Sequence, residues 1–510
     1  MDRLTKPSKT LSIQVPSPTV VASTHLAEKQ AKKDQALLKT SDLDQLSVDG
    51  IITRVVDYID AGQCHLALKV VDKVLPRYSE HITLKVCKGW CLHRLGRSDE
   101  ADPWMRCAMN GQTSDEYVVS RVQDYCLNRE YYVELINLCH FGLLHHSQKV
   151  IMWQRLGMGH YRLGEYRSAI YAYRQSLALA PNPKIVFNFS LALLAHGDYR
   201  EGFNLYKARI DSNPEIDWVH SKGFPVPLWR GESLTGRSLL IWAEQGFGDT
   251  IQFCRLAVLL AQQGVTVDII LPPSQEPLFD LLQHLDAIRT VYKMDNGTIR
   301  TQHKHDFHCP LLNLLSVFPI TREKVPAKVP YLTATTAHYS QWDVIQSLKG
   351  LKVGLVWSSN PHQFSSRLTV RNKSHKSMAL ADCLPLFALK NTCFVSLQLN
   401  TRAEEKALLN EHGVLDMEEH IRDFSDTAAI IHHLDIVVSI DTSVLHLAGA
   451  MAIPCLGLLH SVADWRWQNN RDDCPWYPTM RLCRQVWPGT WSDVIQRASR
   501  HIEQLANQMY

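Results

Sequence analysis

From residue 48 to about 215, apolar positions recur at helical spacing, and the pattern itself repeats every 34 residues. Gly62, Gly96 and Gly164 are separated by 34 and 68 residues. Ala67, Ala101 and Ala169 keep the same offsets, as do Val71, Met105 and Tyr173. One unit, near Glu130 and Leu135, has drifted from this pattern, and another, at Gly197, Gly202 and Tyr206, falls one residue short of register. Such a period predicts stacked helix pairs, with small residues where helices cross. After Ser238 the period changes. Short apolar runs (LLIW, VTVDIIL, IRTVYKM and, after Gly350, VGLVW, CFVSLQ, DIVVSI, CLGLL) alternate with helical stretches. Strands alternating with helices predict parallel sheets.

The clearest helical copy is WQRLGMGHYRLGEYRSAIYAYRQSLALAP. Its Trp153, Leu156, Gly157, Gly164, Tyr166, Ala169, Tyr173 and Pro181 fit the tetratricopeptide pattern position by position. The predicted order is a Ser/Thr/Lys/Pro-rich tail (1–47), tetratricopeptide helices (48–215), a first Rossmann-like α/β domain (216–335) and a second one (345–510). The alternative for the tail is a short capping helix around AEKQAKKDQALLKT. The stretch Arg322–Trp342 holds Pro326 and Pro330, lacks apolar periodicity and is the expected linker. WSDVIQRASRHIEQLANQMY reads as a last amphipathic helix, placed to pack back across the cleft between the sheets.

The 510 residues carry a net charge of +3, so bulk electrostatic binding of nucleic acid is not expected. The 13 cysteines show no C-x-x-C pair, which predicts free thiols in a reducing compartment. No apolar run approaches the ~18 residues of a membrane span, and the N-terminus lacks a signal-peptide pattern. A cytoplasmic protein is the expectation.

Two strand–turn–helix units carry the candidate chemistry. In the run from Ser238 to Pro272, Gly246, Gly248 and Asp249 occupy the turn. Glycine lets a ligand approach backbone, and the helix start offers N–H groups to an anion. In SIDTSVLHLAGAM, Asp441, Thr442 and Ser443 end a strand and begin a helix, and His446 shares a helix face with Thr442. These groups suit a diphosphate; an ordinary helix cap with a buried histidine is the competing reading. The loop after VGLVW gathers Ser358, Ser359, Asn360, Arg367, Arg371, Lys373 and Lys376, which suits an anionic ligand; a merely solvated loop is the competing reading. His303, His305, His308 and Cys309 form a zinc site only if all four converge, which strand alternation opposes. The turn EQGFGDT has two of the three glycines of a dinucleotide fingerprint.

The strings LLIWAEQGFGDTIQF, DFHCPLLNL, VPYL, VGLVWSSNP, FVSLQ, DFSDTAAIIHHLDIVVSIDTSVLHLAGAM and DWRWQNNRDDCPWYPTMRLCRQ resemble bacterial tetratricopeptide proteins with a heptosyltransferase-type glycosyltransferase domain (glycosyltransferase family 9). The chain is more loosely similar to O-GlcNAc transferases. The resemblance implies a GT-B fold, with the nucleotide-sugar held by the second domain and the acceptor facing the first. It implies inverting, metal-independent transfer without a cofactor. It makes Asp249 the general base, adds His446 to the catalytic residues, and places Gly246, Gly248, Ser358, Asn360, Lys376, Gln398, Asp441, Thr442 and Ser443 on the donor side. Lys376-Ser377 stands where the family usually has Arg-Ser. Lysine keeps the charge and loses the bidentate fork. Three functions follow: transfer to a protein acceptor recruited by the repeats (flagellin or another surface protein), transfer to a glycolipid, or an inactive scaffold.

Overall fold

The computed structural model describes residues 43, 45–109, 113, 115–145, 149–212, 224, 226–295, 298–334, 339–359 and 376–509. Residues 1–42 and 44 of the proposed tail, and Asn360, Arg367, Arg371 and Lys373, lie outside them. The chain divides into two compact units, 1–148 and 149–510. The expected boundary at 215/216 does not coincide with this division, because the last repeats belong to the same compact unit as the sheets.

The first unit holds α1 (Val48–Asp60), α2 (Cys64–Val74), α3 (Ile82–Arg94), α4 (Ser98–Met109), α5 (Glu116–Arg129) and α6 (Tyr132–His145). Helix α1 buries Ile51, Val55 and Ile59, one stripe at i, i+4, i+8. The turns within each pair need a left-handed residue to reverse the chain: Gly62 (φ 73°) and Gly96 (φ 85°). The drifted third unit is present as well. Glu130 takes the left-handed position (φ 65°) one period after Gly96, a place where glycine would cost less.

The second unit begins with α7 (Lys149–Arg162), α8 (Tyr166–Leu179), α9 (Pro183–His196) and α10 (Tyr199–Tyr206). Gly164 and Gly197 make the corresponding turns at φ 78° and 106°. These helices are fixed to the α/β body. Tyr199 and Phe203 set their rings edge-on to Trp465, at 5.8 and 5.4 Å between centroids. Arg209, just after α10, donates from Nε to Glu244 Oε2 at 2.8 Å, and both side chains are buried.

The first sheet comprises β1 (Ser238–Trp242), β2 (Thr266–Leu271), β3 (Thr290–Lys293) and β4 (Phe307–Pro310), in the order β3-β2-β1-β4 and parallel throughout. Helix α11 (Phe247–Gln262) follows β1. The chain runs outward from β1 to β3 and then returns to β4 on the other side of β1. The loop after β1 therefore sits at a topological switch point. The second sheet, β10-β9-β8-β5-β6-β7, is also wholly parallel. Its strands are β5 (Leu351–Val356), β6 (Thr392–Ser396), β7 (Leu415–Asp416), β8 (Ile436–Ile440), β9 (Cys455–Leu459) and β10 (Met480–Arg484), and its helices include α12 (Ala403–Glu411), α13 (Phe424–His432) and α14 (Ser443–Ala450). Here the switch lies between β5 and β8, so the loops after these two strands meet.

Nearly unbroken burial along β1, β2, β8 and β9 fits sheets covered on both faces. One apolar core runs from Tyr199 and Phe203 through Leu239 and Ile241 to Trp465 and Trp476. The final helix α15 (Ser492–Met509) buries Val494, Ile495, Ala498, Ile502 and Ala506 in a separate core with Leu351, Val353 and Leu456. It packs on the second sheet and not, as its sequence suggested, across the cleft. The expected linker is irregular between Thr321 and Ala334, and Tyr331 N–H donates to the Ala450 carbonyl at the end of α14 (3.0 Å).

Candidate active site

The switch-point loops of the two sheets face one cavity of about 630 Å³. Its walls include Gly246, Gly248 and Asp249 from the first sheet's turn, and Ser358, Lys376, Gln398, Asp441, Thr442, Ser443 and His446 from the second. The sequence-predicted residues that are described are thus brought together. Their individual roles differ from expectation at several positions.

Asp249 is the third residue of α11. Its Oδ2 accepts the Gly246 N–H at 3.0 Å, which ties the turn to the helix start. Its Oδ1 accepts from Arg466 of the second domain. Arg466 also donates to Asp464 (2.7 Å) and lies near the Phe253 and Trp465 rings (5.3 and 4.7 Å). Burial raises the pKa of the Asp249 carboxyl above its ordinary value, although Arg466 and the Gly246 N–H oppose the shift. A carboxylate made more basic by its surroundings, with lone pairs to spare beyond two hydrogen bonds, is equipped to take a proton. Glu244, the other acid of this turn, is committed to Arg209 and to the Leu312 N–H (3.2 Å).

Gly248 lines the cavity and also meets a close neighbour that its sequence context does not suggest. A Cβ there would lie 2.7 Å from His446 Cδ2. The missing side chain admits a histidine of the opposite domain, and α11 packs directly on α14. The His446 ring stacks on Trp467 (5.0 Å), and Nδ1 pairs with the Tyr477 hydroxyl at 2.9 Å. Burial lowers its pKa to about 3, with Asp441 pulling the other way. With so low a pKa the His446 ring is neutral near pH 7 and offers hydrogen bonding rather than a positive charge.

Lys376 and Asp441 form a pair at 2.8 Å. Burial works against the Lys376 charge, but Asp441 outweighs it and the pKa rises. Burial likewise disfavours the Asp441 charge, yet Lys376 and His446 hold the carboxyl far below its usual range. Asp441 is thus the counter-ion that places Lys376 and is poorly suited to contact a diphosphate itself. Thr442 occupies the N-cap of α14, but its side chain makes no cap bond. Its hydroxyl pairs with Ser439 at 2.9 Å instead, contrary to the expected side-chain cap. Among the described residues no side chain caps the first N–H groups of α14, at the positive end of the helix. Gln398 is a brace: Oε1 accepts from the Trp357 and Ser358 N–H groups (3.2 and 2.9 Å), and Nε2 donates to the Leu399 carbonyl. Ser359 N–H donates to Ser377 Oγ (3.0 Å), so the chain at Trp357, Ser358 and Ser359 is held from both sides.

The His/Cys segment does not converge. His305 Nε2 pairs with Asp268 at 2.7 Å, whereas His308 accepts from Trp242 Nε1 at 3.2 Å and stacks on Phe224. Among the described residues no group of His, Cys, Asp and Glu is placed to hold a metal ion. No helix among them is long and apolar enough to cross a membrane.

Comparison with known proteins bears first on the helices. Residues 52–178 match the family model described as Psidin, N-terminal TPR repeats region. Residues 52–178 are tetratricopeptide repeats. Over 440 residues, 74% of this chain and 71% of the other, the chain is 23% identical to Protein FlbA of Caulobacter vibrioides. The structure titled E. coli ADP-heptose lps heptosyltransferase II is similar over 53% of this chain and 99% of its own, at 13% identity and a TM-score of 0.37. A glycosyl transferase family 9 structure from Veillonella parvula is similar over 53% and 97%, at 10% identity and a TM-score of 0.36.

The sequence does not single out Arg466, Asp464 or Tyr477, and it marks Tyr206 only as a repeat position. The string DWRWQNN held an aspartate–arginine pair beside two tryptophans, which is the one available signal. Nothing in the local pattern says that its arginine reaches Asp249, 217 positions away.

Proposed function

We propose that the chain is a glycosyltransferase that moves a sugar from a nucleotide-sugar to a protein acceptor, with inversion and without a metal ion. The observation that carries this reading is a basic carboxylate, Asp249, across one cavity from Lys376 and the uncapped start of α14. In this scheme Asp249 takes the acceptor hydroxyl proton as the oxygen attacks the anomeric carbon. The bond from that carbon to the diphosphate oxygen breaks, and the nucleoside diphosphate leaves with the electron pair. Lys376, the hydroxyls of Thr442 and Ser443 and the α14 N–H groups absorb the leaving charge. His446, neutral, adds a hydrogen bond. The repeats recruit the acceptor, because stacked helix pairs offer extended surfaces for another chain. Flagellin or another surface protein is the proposed acceptor class.

The experiment follows from where the compact units divide. Removing residues 1–148 leaves Tyr199, Phe203 and Arg209 on the α/β body, whereas a cut at 215 would strip them away. The shortened chain is expected to melt cooperatively and to hydrolyse nucleotide-sugar slowly in the presence of EDTA, while losing most modification of the protein acceptor. Full-rate glycosylation by the folded fragment would remove recruitment by these repeats. Activity abolished by EDTA in the intact chain would remove the metal-independent scheme.

A further inference from the structure

Three residues of the last repeats line the same cavity as Asp249: Phe187 and Leu191 on α9 and Tyr206 on α10. Phe187 and Leu191 are four residues apart, hence on one face of the helix. Both are half-buried and lie against the core that joins the repeats to the sheets. The Phe187 and Tyr206 rings lie 5.6 Å apart, and the Tyr206 hydroxyl pairs with Gln245, the residue before Gly246. The repeat surface therefore reaches the catalytic turn itself.

Polarity divides the cavity. Among the described residues its cations, Lys376, Arg422 and Arg466, all come from the second domain. The three residues supplied by the repeats carry no charge, and Phe247, Pro277 and Trp465 add further apolar lining. An anionic sugar–phosphate acceptor laid on the repeat side would lose hydration, and the arginines nearest Tyr206 are already paired there, Arg209 with Glu244 and Arg466 with Asp249 and Asp464. An apolar side chain there would gain from burial.

We propose that Phe187, Leu191 and Tyr206 form the acceptor wall of the site, and that its occupant is a polypeptide segment whose hydroxyl-bearing residue is flanked by apolar side chains. The inference rests on the glycosyltransferase reading and deepens it. The repeats recruit the acceptor protein, and their last hairpin also grips the chain beside the modified residue.

The test uses the full chain and two short fluorescent peptides with one central serine, flanked either by Val, Leu and Ala or by Glu. The apolar peptide is expected to bind at least about tenfold more tightly than the acidic one, a difference of the size that buried interface anchors produce. Phe187→Ala and Leu191→Ala are expected to weaken it severalfold without changing the melting transition or the affinity for ADP, UDP or GDP. Should Phe187→Ala not fold, Phe187→Tyr keeps the ring and puts a hydroxyl on the wall. Weaker apolar-peptide binding in that variant supports the wall, and unchanged binding overturns it. Equal or tighter binding of the acidic peptide or of lipopolysaccharide-core micelles overturns the proposal, as does unchanged peptide affinity in folded variants. Peptide binding by a chain with no affinity for any nucleoside diphosphate supports the wall and removes the transferase reading instead.

Discussion

Asp249→Asn is expected to abolish sugar transfer while leaving the fold and nucleoside diphosphate binding nearly intact. The substitution keeps an oxygen for the Gly246 N–H, so the turn into α11 retains its tie. Arg466 loses one partner but keeps Asp464. What disappears is the one carboxylate of this turn that is open to the cavity. Loss of a general base typically costs ~10²–10⁴ in rate. In the wild-type protein the burial-raised pKa of Asp249 is expected to set the acid limb of kcat/KM. Activity falls as pH drops through a value above the ordinary carboxylate range, because the protonated acid cannot accept the acceptor's proton. Steady-state rates at saturating donor across pH check both statements. Wild-type rates in Asp249→Asn would take this residue out of the chemistry.

Arg209→Leu is expected to destabilise the second compact unit by about 3–5 kcal/mol, the usual cost of leaving one member of a buried ion pair alone. Arg209 is 1% and Glu244 2% exposed at their side chains. Glu244 would keep only the Leu312 N–H. Arg209 also donates to the Tyr206 carbonyl at 3.1 Å, so the end of α10 loses an anchor. The damage falls one residue from Gln245 and two from Gly246, and activity should fall with stability. Denaturant unfolding of the single variants and of Arg209→Leu/Glu244→Leu measures the effect. The double variant should recover much of the loss, because a matched apolar pair removes the uncompensated charge. A single variant as stable as wild type would show that the pair does not anchor the repeats.

The parts of this fold that were legible in the sequence are those set by local rules. Period 34 exposed the helix pairs because Gly62, Gly96 and Gly164 fill a backbone position that disfavours other residues. Glu130 hid the third pair because it accepts the same left-handed backbone at a cost that sequence does not reveal. Asp249 and the Asp441–His446 run stood out because strand, turn and helix follow one another within a few residues. Roles decided by tertiary contact were not legible. Gly248 makes room for His446, Gln398 braces Ser358, and Asp441 is a counter-ion for Lys376. The attachment of α9 and α10 to the α/β body likewise depends on Trp465 and Glu244, far away in sequence.

In the proposed scheme the second domain's switch-point loops hold the diphosphate of a nucleotide-sugar without metal. Calorimetric titration of the full chain with ADP, UDP, GDP and CDP in EDTA tests it most directly. At least one should bind, and Lys376→Ala should weaken it by about tenfold or more, the scale of one charge-assisted contact. Binding that is undetectable for all four, or equally tight in Lys376→Ala, would contradict the account.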